Sequence, residues 1–419
     1  MKNLRGKYLG WLIVIVFSAA ASAASATQIA RFTATGTPEG NIFGASVAID
    51  RDTVVVGDPQ PFFETPGSAY VFVKPPGGWQ DMTQSAQLIA SDSDPGGLFG
   101  NNVAIQGDVI VVSDYVQNQN HGKIYVYVKP AGGWSGVLME TAQLTASDDN
   151  VGYLLGRSLA MDSEGTIYSG APLDGNGTVY VFVRPAGGWK TATQTAELTS
   201  SHGVLIEVGG IILAANGTTV VAGGAGWPNV LTGPYYGAAY IWEKPATGWV
   251  SASEEDALIT AADKQPGDEL ADSAALYGDT LILGAPGING GRGGGYAYTK
   301  PSGGWATTDV FSAKFTASDL QPKYALGASA AITGSFTLLG VGGYGTGSRL
   351  YEGAVDFYAP GPYDNHPQPD LLSAVWLIPD PQNQSLASFG QMIAAQGNLA
   401  VASGYDEQPL GGVYLFRIE

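Results

Sequence analysis

Apolar residues along this chain come in short runs, alternating or continuous, and polar or glycine-rich stretches part them. Val103-Ala104-Ile105 is followed by Gln106-Gly107-Asp108 and then Val109-Ile110-Val111-Val112. A longer polar segment leads to Ile124-Tyr125-Val126-Tyr127-Val128, then Pro130-Ala131-Gly132-Gly133-Trp134, then Ala142-Gln143-Leu144-Thr145-Ala146. β-Branched and aromatic residues fill the runs, and Gly or Pro marks most bends, so the segment predicts four strands joined by tight turns. The same order recurs along the chain. Trp follows Gly at 79, 134, 189, 249 and 305, at intervals of 55, 55, 60 and 56. A Phe-Gly or Leu-Gly pair opens the units at 43, 99, 155, 326 and 389, with weaker members at Val208-Gly209 and Leu270-Ala271. Seven units of about 56 residues account for the chain beyond its first 26 residues, and four-stranded units repeated radially predict an all-β, seven-bladed β-propeller.

The two ends of the chain test that expectation. The last unit stops after its third strand, Val413-Tyr414-Leu415-Phe416. The missing fourth strand is at the other end, where Ile29 to Ala34 has the pattern of Ser85 to Ala90. Ala30 precedes Phe43 by 13 residues, as Ala86 precedes Phe99 and Ala142 precedes Leu155. The N-terminal strand is therefore expected to pair with the last blade and close the ring, removing an open sheet edge.

Three motifs recurring in register carry a resemblance: Phe-Gly at the start of a unit, Val55-Val56-Gly57-Asp58-Pro59 or Gly284-Ala285-Pro286 in the second strand, and Ala69-Tyr70-Val71-Phe72 in the third. The chain resembles FG-GAP repeat proteins over about residues 29 to 419. These are the propeller repeats of integrin α-subunit heads and of many secreted bacterial proteins, and the Gly-Gly-Trp turn is similar to the bacterial branch. The resemblance implies a seven-bladed propeller and, in many members, calcium held in the hairpin between the first two strands. A calcium ion takes six to eight oxygens. The hairpins here are short: Asp50-Arg51-Asp52, Gln106-Gly107-Asp108, Tyr277-Gly278-Asp279, Thr333-Gly334-Ser335 and Gln396-Gly397-Asn398. Only Asp162-Ser163-Glu164-Gly165 has two carboxylates and some length. The family's metal residues do not carry over, and no metal or cofactor is expected.

Composition agrees with tight-turned strands. The chain has 60 Gly, 24 Pro and no Cys among 419 residues, and only 13% are charged. Residues 1 to 26 read as a secretory signal peptide: Lys2, Arg5 and Lys7, an apolar run from Leu9 to Ala21, and Ala24-Ser25-Ala26 as the cleavage site. The apolar run is short for an uncleaved membrane anchor. Cleavage would leave 393 residues (419 less 26) with 16 basic against 37 acidic side chains, a net charge of −21. That surface repels nucleic acid and anionic headgroups. A soluble, secreted monomer without a membrane span is expected, periplasmic, extracellular or associated with the cell surface.

Candidate chemistry is sparse. His121, His202 and His366 fall in different units without zinc spacing. No thiol exists, and no Gly-x-Ser-x-Gly elbow appears. Paired carboxylates converging from distant loops remain open. The links between units are acidic (Asp92 and Asp94, Asp148 and Asp149, Asp263, Asp268 and Glu269, Asp319) and read as capped turns on a solvated rim, with weak divalent binding as the alternative. The repeated tryptophans read as packing elements over the hairpin between third and fourth strands, and Tyr70, Tyr125, Tyr180, Tyr240 and Tyr296 as core residues of the third strands. The loops between second and third strands vary in length and carry Phe62, Phe63, Tyr115, Trp227, Tyr235, Tyr236, Tyr344 and Tyr405. Aromatics on loops free of packing duty are the candidate ligand-binding residues. The sixth unit lacks Gly-Gly-Trp and inserts Pro360 to Asp370, expected to project on the opposite face. The expected function is recognition of a protein partner, as in adhesion. A lectin-like glycan binder is the alternative, and an uncharacterised hydrolase the third.

Overall fold

A computed structural model describes residues 25–419 apart from 37–41, 61–64, 95–96, 149–151, 202–211, 225, 229–232, 317–324, 342–352, 359–369, 374–375, 380–388 and 405–411. The chain forms seven small sheets around a ring, a seven-bladed β-propeller. Blade two is representative: Asn102–Gln106 innermost, then Val109–Asp114, Lys123–Val128 and Ala142–Thr145, each antiparallel to the one before. Among the described residues the 1–2 and 3–4 hairpins share one face of the ring. The 2–3 loops and the links between blades share the other.

The ring closes as the register predicts. Ala26–Thr33 runs antiparallel to Gly412–Ile418, with Ala30 opposite Leu415 and Phe32 opposite Val413. Ala30, Phe32 and Ala34 are buried there. The ladder begins before Thr27, the first residue expected after cleavage. Ala26 pairs with Ile418, and Ser25 exchanges two backbone hydrogen bonds with Glu419, at 3.0 and 2.8 Å.

One element was not legible in the sequence. After each 3–4 hairpin turn the chain crosses to the preceding blade and runs parallel along its outer strand before returning to its own. Gly136–Met139 of blade two lies along Ala86–Ile89 of blade one, and Ala192–Thr193 of blade three along Ala142–Thr145. Met82–Thr83 covers the closing strand itself. Single bridges, Leu198 to Ala252 and Ile259 to Thr308, do the same for blades three and four. In the sixth blade, Asp370–Ser373 covers Ala313–Thr316 of blade five. The last residue of the expected projecting insertion is therefore in a strand, and Pro360 to Pro369 lie outside the described residues. Covering removes the outer sheet edges that would otherwise offer free N–H and C=O groups to other chains.

The core is distributed. Seven apolar clusters each sit between two neighbouring blades. Phe43, Phe99, Leu155, Leu270, Leu326 and Phe389 are fully buried in them, and Phe99 meets the ring of Tyr125 edge-on at 5.2 Å. Each such side chain contributes about 1.5–3 kcal/mol on leaving water. The glycine after it is required by contact. Gly100 has φ +96°, and a Cβ there would lie 2.3 Å from the carbonyl oxygen of Ser68. In blade five that position is Ala271, held at φ +69°, a conformation that strains a residue with a Cβ.

Four of the five repeated tryptophans are buried, and Trp79 is half-buried. They cover the preceding blade rather than their own hairpin. Trp134 packs with Val71 and Leu88 of blade one, Trp79 meets Phe32 of the closing strand at 5.5 Å, and Trp249 donates from Nε1 to the Tyr168 hydroxyl of blade three at 2.9 Å. A side chain that joins blades is needed once per interface, which accounts for its regular spacing.

Candidate functional site

The acidic links have a structural task that spacing alone carries. The hydroxyl of Tyr125 donates to Asp92 at 2.9 Å and that of Tyr296 to Asp263 at 2.9 Å, and that of Tyr180 is shared between Asp174 of its own 2–3 loop at 2.9 Å and the link residue Asp148 at 3.1 Å. Each tyrosine lies in the third strand of the blade that follows the link, 32 or 33 residues on. Burial and the neighbouring carboxylate push all three phenols far above their usual range. Lys123 and Lys314 complete the arrangement on Asp92 and Asp263, both at 2.6 Å. Burial pushes Asp92 up, but Lys123 and Tyr125 outweigh it and hold the carboxyl below its usual range. The reading of these aspartates as turn caps is corrected for Asp92, Asp148 and Asp263: they latch one blade to the next.

The hairpin carboxylates are likewise committed. Asp162 Oδ1 accepts the backbone N–H groups of Glu164 and Thr166, both at 2.9 Å, and Oδ2 accepts the Tyr168 hydroxyl at 2.8 Å. Glu164 pairs with Lys244. These bonds use the oxygens a cation would need. Among the described residues no three His, Asp or Glu side chains converge as metal ligands.

The link between blades four and five is different. A cavity of about 730 Å³ opens on the loop face, walled by Asp263, Asp268 and Glu269 of that link, by Pro286 to Gly291 of the 2–3 loop of blade five, and by Lys314. Asp268 is buried and accepts the backbone N–H of Gln265 at 2.6 Å. Burial raises its pKa and that of Glu269 above the usual carboxylate range. Burial, with Glu269 beside it, pushes Asp272 up to about 6. Glu269 has φ +58°, but Leu154 and Ala325 hold the same position in their blades at φ +61° and +53°. This backbone strain belongs to the repeat and does not single out the cavity.

The aromatic loop of blade four backs onto that wall. Trp227, Tyr235 and Tyr236 are each half-buried. The N–H of Tyr236 donates to the Trp227 carbonyl at 2.7 Å, closing the loop on itself. The carbonyls of Tyr235 and Tyr236 accept from Gly267 and Leu270 of the link at 2.8 and 2.9 Å. Three of the candidate aromatics are thus brought together beside the carboxylates. Tyr115 is on blade two, where the guanidinium of Arg157 stands 5.0 Å from its ring. Phe62, Phe63, Tyr344 and Tyr405 lie outside the described residues, as do His202, His366, Asp149 and Asp319.

A ring of seven blades with inter-blade cores defines the class, a β-propeller, and solved structures share it. The WD40 domain of coronin from Toxoplasma gondii superposes with a TM-score of 0.54 at 8% identity, over 94% of this chain and 86% of that one. At that identity the likeness is one of fold alone. Residues 26–72 and 82–127 match the FG-GAP repeat family, and those two stretches fall in the first two blades and the closing strand of the seven-bladed propeller. No curated protein sequence matches it. FG-GAP propellers are typically binding modules without catalysis and are typical of extracellular domains. Among the described residues no helix is long and apolar enough to cross a membrane.

Proposed function

We propose that this protein is an exported recognition module that binds a protein partner on the loop face, in adhesion, and catalyses no reaction. The observation that carries the reading is the cavity between blades four and five, with three carboxylates at or beside its wall and Trp227, Tyr235 and Tyr236 on the loop behind it. Rigid, half-exposed aromatics give contact area at low entropic cost, and carboxylates of raised pKa favour a cationic partner group that restores their charge. The basic, apolar and A-x-A pattern of residues 2 to 26 supports export.

The test is affinity capture from extracellular and surface fractions, using the whole secreted chain against a Tyr235→Ala/Tyr236→Ala variant. Proteins held by the first and lost by the second, at matched melting temperature, are expected. An identical bound set for both would overturn the assignment. Capture that weakens steeply as salt is raised would place the carboxylates in the interface.

A further inference from the structure

The hairpin face carries a second cavity, and its chemistry is the opposite of the first. It has about 620 Å³ and lies on the axis of the ring, lined by the 1–2 hairpins of blades two to seven. None of the residues lining it is charged, in a chain of which 13% is charged. The nearby acids are not in its lining and are engaged by hydrogen bonds. Asp50 accepts Gln396 Nε2 at 2.6 Å and the Gly107 N–H at 2.7 Å, and Asp162 is enclosed by its own hairpin. Gln106, Ser163, Thr333 and Ser335 contribute carboxamide and hydroxyl groups to the lining, and Leu276 and Ile332 contribute hydrocarbon.

Tyr277 gives this cavity an aromatic wall. It is 54% exposed and closes no blade interface. Its ring rests on Gly334 of the facing hairpin, where a Cβ would lie 2.9 Å from the hydroxyl oxygen and 3.3 Å from two ring carbons. Gly334 is not among the glycines with positive φ, so its own turn does not demand glycine. A side chain there would fit only if the tyrosine ring moved aside. A large aromatic surface is thus in water at the cavity wall, against a position that carries no side chain.

We propose that this axial cavity binds a neutral saccharide, independently of the loop-face site. An ion would find no counter-charge, and an apolar ligand would strand the hydroxyl and carboxamide groups without partners. A sugar satisfies both constraints: its hydroxyls exchange hydrogen bonds with the polar lining while its C–H face covers Tyr277. A single pyranose has few heavy atoms, so its dissociation constant is expected on the order of 1 mM.

The test is saturation-transfer NMR and calorimetry on the whole secreted chain with glucose, galactose and N-acetylglucosamine, and with glucuronate as the charged control. At least one neutral sugar should bind saturably. Glucuronate, whose carboxylate loses its hydration without a partner, should bind roughly tenfold more weakly or not at all. Tyr277→Ala should weaken the neutral sugar by roughly tenfold or more, the loss of a main stacking contact. Gly334→Val, which evicts the ring while leaving Tyr277 in the chain, should do the same with the melting temperature kept above the assay range. Tyr235→Ala, on the other face, should change nothing. Absence of saturable binding to all three sugars at about fifty times that expected constant would overturn the proposal. So would binding unchanged in Tyr277→Ala, or binding lost in Tyr235→Ala.

Discussion

On the hairpin face Asp50, Asp162, Glu164 and Glu243 have each found a partner. Asp162 is surrounded by three donors, Asp50 is bridged to blades two and seven, and Glu164 and Glu243 are paired with lysines. On the loop face, around blades four and five, Asp268, Glu269 and Asp272 are partly withdrawn from water with too few donors, and burial raises all three pKa values. The same repeat builds both regions, so backbone geometry does not make the difference. Short turns keep the hairpin side chains within reach of their own backbone, as for Asp162, or of a neighbouring blade, as for Asp50. Links and 2–3 loops are longer and differ from blade to blade, so some of their carboxylates latch blades, as Asp92 and Asp263 do, while others, as Asp272 does, stay withdrawn from water with few donors. Satisfied groups hold a scaffold together. Groups left with their charge and few donors are available for recognition.

If that contrast is right, the largest losses of stability come from the scaffold. Deleting residues 27–36 removes the outer strand of the last blade along with Ala30, Phe32 and Ala34 from the core. The ring then opens, and loss of the cooperative unfolding transition is expected in calorimetry. An unchanged melting temperature would refute closure. Next in size is Trp134→Ala. With 4% of its surface exposed, Trp134 should cost about 3–5 kcal/mol on truncation. Denaturant midpoints measure this, and capture of a loop-face partner at a temperature where the variant is folded should not change.

On the loop face the sign reverses. Asp272 titrates at about 6 in the fold against an ordinary value of 3.8. The folded chain therefore binds that proton more tightly than the unfolded chain, and this carboxyl's contribution to stability falls as pH rises from about 4 to 6. Asp272→Asn should remove the loss, stabilising the protein by about 1–3 kcal/mol at pH 7 and flattening its pH profile in that window. Destabilisation instead would mean that the carboxylate is satisfied as the hairpin acids are. The smallest effect is expected from calcium. With the hairpin carboxylates committed, unfolding in chelator and in millimolar calcium at matched ionic strength should agree to within about 0.5 kcal/mol, against ~2.7 for a specific ion at 100 times its dissociation constant. A calcium-specific rise, absent with magnesium, would point to Asp162 and Glu164 or to the acids at 263–269.

The candidate site was legible only in part. Loop aromatics stood out because they interrupt a regular repeat, and Trp227, Tyr235 and Tyr236 do lie together. The carboxylates beside them were not distinguishable from Asp92 and Asp148. All sit in acidic links, and only contact geometry separates an aspartate latched to a tyrosine from one withdrawn from water. The constant interval from link aspartate to third-strand tyrosine was present in the sequence and would have revealed the latch.

Period and register by themselves determined the blade count, the order of strands and the closing role of the strand at Ile29 to Ala34, because each unit repeats the same local choices of turn and strand. The sequence also marked the recurrent Trp as a packing residue. Only the tertiary structure decided what that residue packs against, how Gly136–Met139 comes to cover the neighbouring blade, and that six hairpins enclose an uncharged cavity with Tyr277 on its wall. The reason is physical. Strand and turn preferences act over a few neighbouring residues, whereas blade interfaces and the axial cavity join residues tens of positions apart, whose meeting is fixed by the angle at which one twisted sheet packs on the next.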